Sequence, residues 1–139
     1  MDDGRIRWWQ LALLVLGGGL GTSLRYLLEE AFAPAAGHVP WVTFAINVAG
    51  SFALGVVLTA LAGRPPGRAH RTLRLCVGTG LIGGFTTYST FILEVDGLLG
   101  GGQVWSGLAY AVASVLAGVA AATAGVLIGQ RLTNRTAPR

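Results

Sequence analysis

Residues 83–94 read Gly-Gly-Phe-Thr-Thr-Tyr-Ser-Thr-Phe-Ile-Leu-Glu, inside a run that is otherwise apolar enough to cross a bilayer. Thr86, Thr87, Ser89 and Thr90 bring four hydroxyls, and Tyr88 and Phe91 place two aromatic rings three residues apart. A hydroxyl donates to an anion without carrying a full charge. An aromatic ring has a positive edge and a negative face, so edges turned toward a path attract an anion weakly. Weak attraction is the compromise between entering and leaving that conduction needs. Taken alone, Tyr88 and Phe91 suit a packed core as well; the hydroxyls around them favour a path.

Three further places could join such chemistry. Asn47 lies near the middle of the second apolar run, with Thr43 one helical turn before it on the same face. Its carboxamide is either a hydrogen-bonding link between helices or a donor lining an anion path. Tyr110 and Ser114, four residues apart, can present two hydroxyls along one helix face. Arg25 sits near the end of the first run, where it either snorkels to the interface or stands as a fixed positive charge at a pore mouth.

Other chemistries find little support. His38 and His70 fall in connectors without metal-ligand spacing, and no buried carboxylate pair is expected in the apolar runs. Cys76 is the single cysteine, which leaves no internal disulfide and no multi-cysteine metal site. Gly17-Gly18-Gly19-Leu20-Gly21 lacks the preceding strand and the following Gly-Lys-Ser/Thr of a phosphate loop. The reading is therefore of a non-enzyme. The basic residues are all arginines, in connectors and tails rather than on a nucleic-acid motif, so no nucleic-acid partner is expected.

The elements that must hold these residues are legible in the composition. The chain has 139 residues, 53% hydrophobic and 12% charged. That charged share is about half the roughly 25% of soluble domains. Four apolar runs, about Trp8–Leu28, Trp41–Ala62, Leu73–Leu99 and Val104–Ile128, each approach or exceed the ~20 residues of a membrane-crossing helix. They predict an all-α integral membrane protein, a single domain with helices over about 8–30, 41–62, 73–99 and 104–130. Trp8, Trp9, Trp41 and Trp105 fall at their ends, as an interfacial belt would place them. The first run is too long, and Arg25, Glu29 and Glu30 too close to its end, for a cleaved leader.

In the third run, two glycines and four hydroxyl residues are poor helix formers, so a break is expected near 83–87. Backbone groups loosened there must find partners in protein or in a water-filled cavity. Small residues pattern the other runs: Gly17, Gly18, Gly19 and Gly21; Ala49, Gly50, Ser51 and Gly55; and Ala113 to Gly125 in the last. Such faces let helices approach closely in lipid, within one bundle and, since four helices make a thin one, between subunits. No internal repeat suggests an inverted-repeat transporter in one chain. Nine of the ten arginines fall on the side of the termini and the second connector, so the positive-inside rule predicts both termini in the cytoplasm.

Taken in order, these residues resemble the Fluc (CrcB) family of fluoride channels. The match covers Gly18 to about Gly125: Gly18, Gly21, Arg25 and Tyr26 in the first helix; Thr43, Asn47 and Gly50 in the second; Gly83-Gly84-x-Thr86-Thr87-Tyr88-Ser89-Thr90-Phe91 in the third; Tyr110 and Ser114 in the fourth. The resemblance implies a channel exporting fluoride passively, built as an antiparallel dual-topology dimer in the inner (plasma) membrane, with two paths along the interface. It implies that Tyr88 and Phe91 form an aromatic box with Asn47 donating amide hydrogens to fluoride. Ser89 and Thr90 continue a hydroxyl track, Tyr110 and Ser114 line the adjacent path, and Arg25 and Glu94 stand at the vestibule. It further implies a central structural sodium ion on the backbone carbonyls of Gly83 and Thr86.

Two features depart from the family pattern. Tyr88 stands where many members have phenylalanine, so its hydroxyl either joins the path or turns away. The arginine bias suits one fixed orientation, which leaves open a homodimer or a heterodimer with an oppositely oriented homologue. The alternatives in function are a small multidrug-resistance-type proton-coupled transporter, which wants a carboxylate within the first helix where residues 8–28 have none, and a non-transporting accessory membrane subunit, which gives no reason for the polar break.

Overall fold

The computed structural model describes residues 7–35, 37–62 and 67–135. Of the arginines counted above, Arg5, Arg64 and Arg139 lie outside these residues, as do Pro65 and Pro66. The described chain forms helices α1 (Trp8–Ala31), α2 (Trp41–Ala62), α3 (Arg68–Leu73), α4 (Gly83–Phe85), α5 (Ser89–Gly100) and α6 (Val104–Arg135), with a wider π-type segment, Arg74–Ile82, joining α3 to α4. Among the described residues four stretches are long and apolar enough to cross a membrane: Trp8–Ala31, Trp41–Ala62, Ala69–Gly100 and Val104–Thr133. At about 1.5 Å per residue each matches or exceeds the ~30 Å hydrocarbon core. The chain is a multi-pass membrane protein.

The outside of the bundle is apolar. Leu16, Leu20, Leu27, Leu116 and Val119 are all more than half exposed, while the buried apolar residues are few: Ile46, Ile82, Phe91, Leu98 and Tyr110. Lipid tails reward this arrangement, because burying a leucine there gains little over leaving it in hydrocarbon. Close backbone approach then holds the bundle together. α1 lies on the π segment and α4, and α2 lies on α6. A Cβ on Gly17 would stand 2.7 Å from the Cys76 carbonyl oxygen, one on Gly21 would strike that of Leu81, and one on Gly84 that of Gly18. On the other pair, a Cβ on Gly55 would strike the Ala122 carbonyl oxygen, and one on Gly125 that of Phe52.

Two polar ties fix the ends. The Gln10 side chain accepts from the Arg7 N–H at 2.9 Å and donates to Thr72 Oγ1 at 3.1 Å, joining the start of α1 to α3. At the opposite end Gln103 Nε2 donates to the Gly37 carbonyl at 2.7 Å. Gly37 and Gly102 in these turns have φ of 77° and 80°, a left-handed conformation that glycine adopts without steric cost.

The third span is interrupted, and the interruption begins at Thr86. Gly83 and Gly84 remain helical, and Thr86 turns extended with φ −79° and ψ 156°. The reason is packing: Gly84 is needed as a helical glycine because the α1 backbone lies against it. The π segment before it was not foreseen. Its Gly80 carries the same kind of contact, a Cβ there standing 2.9 Å from the Leu14 carbonyl oxygen.

Candidate functional site

The break is held open by side chains. In a continuous helix the Thr87 N–H would donate to the Gly83 carbonyl and the Thr90 N–H to that of Thr86. Here the Thr87 N–H donates to Asn47 Oδ1 at 2.9 Å, and the Thr90 N–H donates to Thr87 Oγ1 at 3.1 Å. Asn47 Nδ2 in turn donates to the Thr87 carbonyl at 2.9 Å. The carboxamide thus pairs with both backbone groups of Thr87, and the carbonyls of Gly83 and Thr86 are released from the helical ladder. Thr87 Oγ1 takes the place of an N-cap for α5, the role short hydroxyl side chains fill best. α2 allows the approach because Gly50 has no Cβ: one there would strike Thr86 Cγ2.

Beside the break lies a cavity of about 310 Å³ whose lining includes Asn47, Thr86, Thr87, Tyr88, Phe91 and Ser114. Phe91 is buried, whereas Tyr88 is 75% exposed on the outer face of the chain. Their ring centroids are 6.3 Å apart at 45°, and Phe91 stacks onward to Tyr110 at 5.6 Å and 49°. Ser114 Oγ is buried with no hydrogen-bond partner among the described residues.

The other residues singled out in the sequence form two groups outside this cavity. Glu94 is gripped by two hydroxyls: Thr43 Oγ1 donates to Oε1 at 2.6 Å and the Tyr110 hydroxyl donates to Oε2 at 2.8 Å. Thr43 is fully buried and Tyr110 nearly so. Both hydroxyls are therefore directed at a carboxylate of the same chain, not at the cavity, and they bind α2 and α6 to α5. In the second group Arg25 Nη1 lies 3.2 and 3.0 Å from the two Glu29 oxygens, and reaches Thr90 Oγ1 at 3.4 Å. Thr90 Oγ1 also accepts from Thr87 Oγ1 at 3.0 Å, and Ser89 Oγ is 3.3 Å from that Thr87 oxygen. Arg25 Nε is buried with no hydrogen-bond partner among the described residues.

Thr87 carries more of this geometry than any other residue, whereas in the sequence it stands only as one of four hydroxyls in the break. A signal was present. A threonine three residues before Thr90, just ahead of a helical run, is an N-cap pattern. It was hidden by three other hydroxyl residues within five positions.

Arranged this way, the site offers an anion one amide hydrogen, a ring pair and the Ser114 hydroxyl in a small cavity, while the Thr86 and Thr87 hydroxyls donate to the Ile82 carbonyl and to Thr90 Oγ1. No cluster of His, Cys, Asp and Glu that could hold a metal ion occurs among the described residues.

Comparison with known proteins agrees over most of the chain. Residues 12–126 match the family described as CrcB-like protein, Camphor Resistance (CrcB). A Nocardia farcinica protein named fluoride-specific ion channel FluC 2 is 46% identical over 119 residues, covering 86% of this chain and 81% of the relative. A Cutibacterium acnes protein named fluoride-specific ion channel FluC 1 is 45% identical over 109 residues, 78% of this chain and 76% of the relative. A Deinococcus radiodurans protein named fluoride-specific ion channel FluC is 46% identical over 121 residues, 86% of this chain and 94% of the relative. With a family match across most of its length, and relatives of this identity over most of theirs, the chain belongs to the CrcB family.

Proposed function

We propose that the protein is a fluoride-selective ion channel that lets fluoride leave the cell passively across the plasma membrane. The observation that carries this reading is the third-span break, held open by Asn47 and flanked by Tyr88, Phe91 and Ser114 at membrane depth. The names of the relatives support fluoride as the ion. A small halide gives up its water for one amide hydrogen, hydroxyls and ring edges, none of which holds it with a full positive charge. No bond is made or broken, so the activity is transport, not catalysis.

The exposed ring of Tyr88 favours a path completed by a second subunit. The assembly we infer is an antiparallel dimer, formed with a second copy or with an oppositely oriented homologue. The numbered names FluC 1 and FluC 2 among the relatives fit chains that occur in pairs. Gly83 and Thr86 suit a structural sodium ion, because hard cations take oxygen ligands and carbonyls at unwound helix ends supply them. A second copy would double the two released carbonyls. Bound there, sodium would supply a fixed positive charge at the centre of the assembly.

The test is efflux from proteoliposomes loaded with fluoride, with chloride-loaded vesicles as control. Rapid fluoride release with chloride retained is the expected result. Release no faster than from protein-free liposomes would end the channel reading.

A further inference from the structure

We propose that Thr87 is a positioning residue for the anion path, and that it decides which end of the Asn47 carboxamide faces the anion. The inference rests on the conduction reading above. An asparagine side chain has two ends of opposite polarity, an oxygen that repels an anion and an NH₂ that attracts it, and turning the group by half a revolution exchanges them. Shape alone does not choose between the two. The Thr87 backbone does: its N–H demands Oδ1 at 2.9 Å, and its carbonyl demands Nδ2 at 2.9 Å. A turned carboxamide would set oxygen against oxygen and nitrogen against nitrogen. Asn47 therefore brings one hydrogen, not two, to the cavity it lines, because the other is held by the Thr87 carbonyl.

The Thr87 hydroxyl keeps that backbone in place. It accepts the Thr90 N–H at 3.1 Å and donates to Thr90 Oγ1 at 3.0 Å, so Thr87 is tied to the first turn of α5. Phe91 is the next residue of that helix. Amide, ring and hydroxyls are thereby held in one frame by a residue that is itself buried.

The experiment joins flux to a spectroscopic signature. Thr87→Val keeps shape and backbone but removes the hydroxyl; Thr87→Ser keeps the hydroxyl. Fluoride efflux is expected to fall about fivefold or more in Thr87→Val, the scale of a lost helix cap, and to stay within about twofold in Thr87→Ser. Asn47 and Asn134 are the only asparagines, so selective ¹⁵N labelling gives two side-chain amide pairs. In fluoride-free protein one Asn47 hydrogen should exchange slowly with solvent and the other freely, and added fluoride should shift only the second. In Thr87→Val that asymmetry should weaken. Should Thr87→Val fail to fold, the unsubstituted protein and Thr87→Ser still carry the test. Efflux from Thr87→Val at the unsubstituted rate, or two Asn47 hydrogens that exchange and respond alike, overturns the proposal. An unsubstituted protein without fluoride flux but with one protected Asn47 hydrogen would instead remove the conduction reading and leave the clamp standing.

Discussion

Asn47 and Phe91 show how few atoms separate a structural residue from a conducting one. Asn47 accepts one backbone hydrogen bond and makes another, and still lines the cavity with what is left. Asn47→Asp keeps the acceptor for the Thr87 N–H but replaces the donor with a charged oxygen facing the Thr87 carbonyl. Two repulsions follow, one with that carbonyl and one with any anion in the cavity. Fluoride efflux should fall to the background of protein-free liposomes, and flux at the unsubstituted rate would take Asn47 out of the path. Phe91 is buried between Tyr88 and Tyr110. Phe91→Ile fills much of the space but has no ring edge. The protein should elute from size exclusion as before while efflux drops about tenfold or more, equivalent to ~1.4 kcal/mol on the barrier. Glu94 explains why the Thr43 and Tyr110 hydroxyls turn from the cavity although the Tyr110 ring packs on Phe91: a carboxylate at membrane depth needs donors, and those two hydroxyls supply them.

At the scale of elements, glycine spacing does what leucine packing does in a soluble bundle. α2 and α6 meet so closely that a Cβ on Gly55 would strike the Ala122 carbonyl and stand 3.0 Å from the Val126 nitrogen. Backbone cannot step aside as a side-chain tip can, so Gly55→Ala should force the helices apart. A loss of roughly 1–3 kcal/mol is expected, as for an overpacked core. Gly97 on α5 has nothing within 4 Å of the position a Cβ would take. Gly97→Ala should be neutral or stabilising by up to ~1 kcal/mol through helix propensity. Thermal unfolding in detergent checks both: the Gly55→Ala midpoint should drop and the Gly97→Ala midpoint should hold or rise. Equal midpoints would mean that the α2–α6 approach is not tight in the folded protein. The third span follows the same logic. α1 needs its glycines kept helical, so the break is pushed on to Thr86–Tyr88, where hydroxyls and Asn47 can satisfy the backbone.

For the whole molecule the deciding quantity is charge. The chain carries a net +4, with its arginines gathered on the side of the termini. Such a bias favours one orientation in the membrane. A homodimer of antiparallel subunits needs the same chain to insert both ways, whereas a pair of homologues lets each insert one way. Topology reporters fused to the C-terminus of the chain expressed alone should report from the cytoplasm only, as the arginine bias expects. Signal from both compartments would show that the chain inserts both ways, and a homodimer would then need no second homologue.

What the sequence determined by itself is what depends on composition and local chemistry. The apolar runs required four membrane-crossing helices because a continuous apolar run of ~20 residues matches the bilayer as a helix, which satisfies its backbone within the segment. The cluster of hydroxyls and glycines in the third run required an interruption, and four motifs in order pointed to the family. Tertiary structure decided that the interruption begins at Thr86 and not at the two glycines before it, because the Gly84 position packs against the Gly18 backbone. It also decided that Thr43 and Tyr110 serve Glu94, and that Thr87 holds Asn47. Hydrogen bonds between residues 16 to 51 positions apart depend on which faces the helices turn to one another, and that follows from close backbone packing that no local spacing records.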